Sequence, residues 1–489
     1  MTHLLTGLHS HLRLGCLALG LAVSSLAAQA QALPEAVASA LVRAQVPPEA
    51  VSLMLVDAHG LNAPRLSHRA EVLANPASVM KLLTTTAALD LLGPAYTWRT
   101  PVWVDGQVKN GTLYGNLVIA GQGDPALSVE KLWLLLRRVQ GLGIRRIQGD
   151  IVLDQSAFAP PTLQAGDFDG EPLRPYNATP EALLVNFKSL VLNFVPDPAQ
   201  RVAHIHTEPP LHGVRLPARV PLASNPDAPC GDYRTTLQAD FADPTRILLK
   251  GSYPVSCGEK SWPVAYADPA SYAARAVLGM WLGLGGQLTG EVRSGTAPPT
   301  PPTLVATSPT LAEVLRDINK FSNNVMTQQL FLTLARVAAP DSPATFEAAR
   351  EVLQQWWARR IGALPAPVLD NGAGLSRQER ISAAAMAQLL QVAYASPFMP
   401  ELMASLPVVG MDGTLKRSRA PLASAHLKTG SLRDVLALAG YVHASHGRHL
   451  VLVALINHPN AGAARPAMDA LVDWAVAQAS RSSPVSVDR

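Results

Sequence analysis

The chain has 489 residues, 48% hydrophobic and 16% charged, enough apolar material for a large core and roughly two to four domains. Its formal net charge of +4 comes from 40 basic and 36 acidic residues with no long run of either sign, which argues against a disordered polyelectrolyte or a nucleic-acid-binding stripe. No segment reaches ~20 uninterrupted apolar residues, so no stable membrane span is expected.

His3, His9, His11 and Arg13 precede an apolar stretch from Leu14 to Leu26, and Ala28-Gln29-Ala30-Gln31-Ala32 then offers small-x-small cleavage sites. This pattern predicts a secretory signal peptide over 1–32, cut near Ala30 or Ala32. Cys16 lies inside it, but Arg13 stands where a lipoprotein signal needs an apolar residue, so no lipid anchor is expected. Beyond the signal, "AVSLMLVDAHG" (50–60) reads as a strand. "NPASVMKLLTT" (75–85) opens an apolar run, Val79, Leu82, Leu83 and Ala87, which predicts a helix from near Ser78 to Gly93-Pro94. Ser78 and Lys81 lie three positions apart at its start. A serine there is either a helix cap or an acyl-transfer nucleophile, and the same S-x-x-K spacing recurs at Ser128 and Lys131.

From about residue 99 the texture becomes β-rich. "WRTPVWVDGQVKNGTLYGNLVIAGQGDP" alternates apolar and polar residues between Asp-Gly and Asn-Gly turns and predicts hairpins. "SVEKLWLLLRRVQGLG" follows as an amphipathic helix with Ser128 as its cap, then "IQGDIVLDQSAF" as a strand. Residues 188–262 carry short β-like runs and both remaining cysteines, Cys230 and Cys257, which in an oxidising compartment are expected to pair, with two free buried thiols as the alternative. "GTAPPTPPTLVATSPT" (295–310) reads as a Pro/Thr-rich connector. Helices follow, then strands around "AHLKTGSL", "VLALAGYVHA" and "HLVLVALINH", and a last helix near "AMDALVDWAVAQA".

Other candidates read as structural. His204 and His206 alternate along one strand with no third metal ligand evident, so no metal is expected. His443, His446 and His449 fall at a hairpin-like turn and are expected to be solvated. Gly283 to Gly286 precede no dinucleotide-binding pattern, and Trp356-Trp357 read as core residues of one helix.

Three short elements carry chemistry together: Ser78-Val79-Met80-Lys81, Ser322-Asn323-Asn324, and Lys428-Thr429-Gly430 on an expected edge strand. Positions i and i+3 share a helix face, so the Lys81 amine can reach the Ser78 hydroxyl and accept its proton. That requires neutral lysine. Lowering a pKa of ~10.4 toward 7 costs about 4 kcal/mol, which burial and a second cation such as Lys428 would supply. Ser322 would relay the proton and Asn324 would hold Lys81 and the substrate amide. Lys428 and Thr429 suit a terminal carboxylate, Gly430 lets substrate backbone lie against the strand, and the N–H groups of Ser78 and Ser431 suit an oxyanion.

With these motifs in this order, the chain resembles the class C low-molecular-mass penicillin-binding proteins, the D-alanyl-D-alanine carboxypeptidase/endopeptidase family. The resemblance extends to "AGQGDPAL" (120–127), "RPYNATPEALLVNF" (174–187), "LDNGAGLSRQERIS" (369–382), "GMDGTLKRS" (410–418), the paired cysteines and the long interval between Ser78 and Ser322. It implies an α/β (α+β) fold: a penicillin-binding, serine β-lactamase-like transpeptidase domain with an antiparallel sheet flanked by helices and inserted β-rich accessory domains. The division it suggests is 33–98 with 295–485 for the peptidase, 99–187 with 263–294 for a second domain, and 188–262 for a third. Carried over residue by residue, it makes Ser78 the nucleophile, Lys81 the base, Ser322 and Asn324 the second element, Lys428 the carboxylate clamp, and Arg377 a contact for the diaminopimelate side chain unless it is a surface arginine. Asp167, Asp169 and Glu171 compete for a further contact at that end. Asn323 stands where the family often has Asp, with little effect expected because that side chain points away from the reacting atoms.

The implied function is a periplasmic serine DD-peptidase without cofactor, acting on peptidoglycan stem peptides as carboxypeptidase and endopeptidase and acylated by β-lactams. Two rivals use the same residues. A β-lactamase-like hydrolase would turn over the penicilloyl adduct quickly, and a catalytically weak cell-wall-binding protein would bind muropeptides without releasing D-alanine. The oligomeric state is left open.

Overall fold

The computed structural model describes residues 32–60, 62–160, 162, 164–362, 364–443 and 447–480. The predicted signal peptide up to Gln31 lies outside the described residues. A five-stranded antiparallel sheet runs in the order Ala425–Leu432, Val435–His443, His449–Asn457, Val51–Asp57, Leu66–His68. Its central strands are near-continuous apolar runs because both faces are covered. Leu436, Leu438 and Val442 face a core shared with the terminal helices Glu35–Arg43 and Arg465–Ser480. Val435, Ala437, Ala439 and Tyr441 alternate to the other face, against helices Lys81–Leu92, Asn324–Ala338, Phe346–Arg360 and Ala383–Tyr394.

The helix Lys81–Leu92 is the centre of that second core, buried from Lys81 to Leu89. It ends where the sequence predicts, at Gly93, whose N–H reaches the Leu89 carbonyl at 3.0 Å. Trp356 and Trp357 are buried in the same core, and the Trp356 indole donates to Asp90 at the helix end, 2.8 Å away.

Between the two halves of this unit stands a β-rich insert. Strands Thr97–Lys109 and Thr112–Ala120 form the expected hairpin, with Asn110 and Gly111 both at positive φ, as a two-residue hairpin turn requires. They belong to a seven-stranded mixed sheet. The stretch 295–310, expected to be a connector throughout, ends instead in a strand, Leu304–Thr310, paired with Thr97–Lys109. It lies at the edge of the sheet, where Pro309 is tolerated because its missing N–H is not needed. A four-stranded antiparallel sheet, Lys260–Ala265, Ser189–Asp197, Val202–Glu208 and Arg219–Pro221, packs against the same core as the seven-stranded one, around Leu117, Leu136, Leu192, Phe194 and Trp281. Cys230 and Cys257 form a disulfide beside it. The second S-x-x-K sits in the insert, with Ser128 at the start of helix Val129–Gly141.

His204 and His206 are exposed on their strand, and among the described residues no cluster of three metal-ligating side chains forms. His443 and His449 differ from expectation. They are half-buried, because they face the sheet surface covered by helix Ala383–Tyr394: His443 lies 2.5 Å from the ring nitrogen of His426, and His449 2.7 Å from the Tyr394 hydroxyl. Burial first, and the neighbouring imidazoles second, push His443 down to about 4. His446 lies outside the described residues.

Candidate active site

The serine is presented by a turn fixed from several segments. Asn75 accepts the Ala77 N–H at 2.8 Å and donates to the Ser376 carbonyl at 2.9 Å, while Asn457 bonds both backbone groups of Asn75. Ala77 has a φ of 45°, and Ala77–Met80 forms a 3₁₀ turn that leads into the helix Lys81–Leu92. Ser78 therefore sits in the turn before the α-helix, with no capping hydrogen bond, so the helix-cap reading of this serine does not hold.

Lys81 is fully buried. Its Nζ donates to Ser78 Oγ at 3.0 Å, to Asn324 Oδ1 at 2.6 Å and to the Ala373 carbonyl. Burial pushes its amine down to about 7, against an opposing pull from the Glu379 carboxylate. At that value the amine carries a lone pair in a useful fraction of molecules at neutral pH, and the one acceptor of its three that can also donate is the Ser78 hydroxyl.

Lys428 is also fully buried, with Nζ 2.9 Å from Ser322 Oγ and 2.6 Å from the Thr429 carbonyl. Burial, then the charge of Lys81, holds it well below the ordinary lysine range. Ser322, at φ 57°, occupies the tight turn between helices Leu311–Lys320 and Asn324–Ala338. Asn323 caps the second helix by accepting the Met326 N–H, so its side chain is engaged at the helix start. The site thus holds two groups, Lys81 with Ser78 and Asn324, and Lys428 with Ser322, near enough that the charge of Lys81 acts on Lys428.

The edge strand Ala425–Leu432 closes the site. A Cβ on Gly430 would stand 2.6 Å from the Pro76 carbonyl oxygen and 3.1 Å from the Ser78 nitrogen, so only glycine lets strand and turn approach this closely. Thr429 shares a hydrogen bond with Thr414, 2.6 Å away in the 410–418 stretch, and Ser431 is exposed beside it.

Arg377 is not part of this cluster. It lies on the rim, paired with Asp434 at 2.7 Å and stacked over Phe168 at 4.9 Å. Of the three competing acids, Asp169 is engaged by Tyr176 and Asn177, and Glu171 pairs with Arg174 in solvent. Asp167 lines a cavity with Phe168, Asn177, Gln328, Phe346 and Leu375. The residue reading did not single out Thr414, Asp434, Ala373 or Glu379. Only their position inside the quoted 369–382 and 410–418 stretches, or next to the Lys-Thr-Gly strand, pointed toward them.

Residues 33–478 match the D-Ala-D-Ala carboxypeptidase 3 (S13) family. The chain is 27% identical over 401 residues to the D-alanyl-D-alanine carboxypeptidase DacB of Haemophilus influenzae, spanning 79% of this chain and 81% of that one. It is 26% identical over 411 residues to the D-alanyl-D-alanine carboxypeptidase of an Actinomadura species, spanning 80% and 74%. In fold it is similar to the crystal structure of penicillin binding protein 4 (dacB) from Haemophilus influenzae, with a TM-score of 0.71 at 22% identity over 89% of this chain and 99% of that one. The same protein complexed with a β-lactam gives a TM-score of 0.67.

Proposed function

We propose, from the premise that this chain belongs to the D-Ala-D-Ala carboxypeptidase 3 (S13) family, that Ser78 is the nucleophile through which it hydrolyses D-Ala-D-Ala termini and D-Ala-diaminopimelate crosslinks of peptidoglycan. The observation that carries this assignment is the 3.0 Å contact between the Ser78 hydroxyl and a lysine amine that has no access to water. Neutral Lys81 takes the hydroxyl proton as Ser78 Oγ attacks the D-alanine carbonyl, and the backbone N–H groups of Ser78 and Ser431 hold the oxyanion. The proton then passes by way of Ser322 to the leaving amine. Water attacks the acyl-enzyme with Lys81 again as base. Lys428 and Thr429 bind the terminal carboxylate, whose negative charge favours the ammonium form of Lys428 that burial disfavours.

A β-lactam carbonyl suits the same position, and because its amine stays tethered to the opened ring, attack by Ser78 gives an acyl-enzyme with no fragment released. Asp167 and Arg377, which flank one cavity edge and one rim, suit the polar end of the diaminopimelate side chain. The domain limits suggested by the sequence, 33–98 with 295–485, 99–187 with 263–294, and 188–262, keep the nucleophile and the Lys-Thr-Gly strand in one unit. Export to the periplasm is supported by the signal pattern at the N-terminus and by a disulfide; among the described residues no helix is long and apolar enough to cross a membrane.

Labelled penicillin should attach to the wild-type protein at Ser78 and not to Ser78→Ala, and equal labelling of both would reject this reading. Mass spectrometry of products from crosslinked peptidoglycan fragments then separates terminal trimming from bridge cutting.

A further inference from the structure

Glu379 is fully buried, and no step of the mechanism above uses it. One carboxylate oxygen accepts three backbone N–H groups, from Asp370 at 3.2 Å, Asn371 at 3.1 Å and Gly372 at 2.8 Å. The other is buried with no hydrogen-bond partner. A side chain needed only to staple a loop would do so at lower cost as a neutral amide, because an uncompensated buried anion is expensive. The compensating cation lies across the loop. Ala373, the next residue, offers its carbonyl to Lys81 Nζ, and the Gly372 carbonyl accepts from Thr84 Oγ1 at 2.7 Å on the Lys81 helix. The loop is pressed so tightly there that a Cβ on Gly372 would stand 2.4 Å from the Phe331 ring. Glu379 on one side of a four-residue loop and Lys81 on the other are both fully buried, and each acts on the charge of the other across the loop.

We propose that Glu379 is a positioning residue for acyl transfer: its buried carboxylate sets the pH at which Lys81 gives up its proton and becomes the base for Ser78. The inference rests on the assignment of Ser78 and Lys81 made above. The sign follows from electrostatics. An ionised Glu379 favours the ammonium form of Lys81 and so holds the amine near neutral pH, where a base is strongest while still unprotonated. Without that charge, burial would carry Lys81 lower still. Burial also pushes Glu379 up to about 7, so the two groups titrate in one range and share protons as a pair. The other charged groups around them have fixed or separate roles. Asp370 in the loop raises Glu379 further, Arg350 of helix Phe346–Arg360 binds the Asp370 carbonyl, Arg380 binds the backbone carbonyl of Glu379, Arg377 is engaged by Asp434 on the rim, and Lys428 faces Lys81 from the edge strand.

The test is the pH dependence of the acylation rate with labelled penicillin for wild type, Glu379→Gln and Glu379→Asp, with the adduct located by mass spectrometry and folding checked by thermal melts. Glu379→Gln keeps an oxygen for the three N–H donors and removes the charge. Its acid limb should move down by roughly one pH unit, so that one unit below the wild-type midpoint it retains about fivefold more of its own plateau rate than wild type does. Glu379→Asp keeps the charge and should hold the midpoint near the wild-type value. A midpoint unmoved in Glu379→Gln, whatever happens to the plateau, overturns the inference and leaves the Ser78 assignment standing. A wild-type protein with no adduct on Ser78 removes both. Should Glu379→Gln not fold, infrared titration of wild type and Lys81→Met replaces it: the protonated carboxyl band should persist to near neutral pH in wild type and to higher pH in Lys81→Met. Identical titration of that band in the two proteins overturns the inference.

Discussion

Lys81 has three acceptors around its fully buried amine, so in the proposed mechanism its protonation state decides whether Ser78 can react. The active form is the neutral amine. Because burial brings it down to about 7, acylation by penicillin should fall about tenfold per pH unit on the acid side of that value and level off above it, as a rate titration will show. Lys428 acts in the opposite sense. In the proposed mechanism its charge binds the substrate carboxylate and burial disfavours that charge, so a D-Ala-D-Ala peptide should show an alkaline limb that disappears from the profile of Lys428→Ala along with most of the affinity. Asn323 marks the limit of the cluster. As a helix cap it can be replaced by Asp with little effect on acylation, while Asn323→Ala should cost about 1 kcal/mol in denaturant-measured stability.

The elements that carry these residues meet at glycine. Gly374, at φ 78°, would place a Cβ 1.9 Å from the Ala77 carbonyl oxygen, and Gly430 would place one 2.6 Å from that of Pro76. The turn holding Ser78 is thus gripped between the 369–382 loop and the edge strand. Gly430→Ala, whose backbone conformation any residue tolerates, should lower stability through the clash alone, by roughly 1 to 3 kcal/mol, and the acylation rate at least tenfold by forcing the strand off the turn. Gly374→Ala adds backbone strain to the same clash and should lower both. Parallel melts and penicillin labelling distinguish the two effects.

At the scale of the molecule, the insert is part of the site's wall. The Tyr176 carbonyl accepts from Asn324 at 3.4 Å, and Phe168 supports Arg377 at the rim. The seam between insert and peptidase unit is fixed by Gln329, a fully buried residue of helix Asn324–Ala338 that bonds both backbone groups of Glu181, at 3.0 and 2.9 Å. Gln329→Ala would leave the N–H and C=O of the half-buried Glu181 without this partner, at up to roughly 1 to 3 kcal/mol each. We expect a stability loss of about 2 kcal/mol or more in chemical denaturation, together with weaker binding of muropeptides that carry the diaminopimelate side chain.

Local pattern in the chain is enough to find the hairpin at Asn110-Gly111, the end of the long helix at Gly93, the strand at Val435–His443, and the three short motifs, because turn chemistry, apolar periodicity and reactive residue types are written in consecutive positions. It could not decide whether Ser78 caps a helix or stands beside a base, since that depends on Asn75 and Asn457 shaping the turn and on Asn324 and Ala373 converging on Lys81 from distant parts of the chain. The same holds for His443 and His449, polar in sequence and half-buried in the fold, and for the strand at Leu304–Thr310, whose Pro309 and the prolines before it read as a connector until an edge position is available. Glu379 is the furthest case. A glutamate in a polar stretch predicts exposure, and only the packed fold buries it fully, across one loop from the equally buried Lys81. Residue identity thus determined which groups can do chemistry, and tertiary packing decided which of them lose their water and so change their protonation.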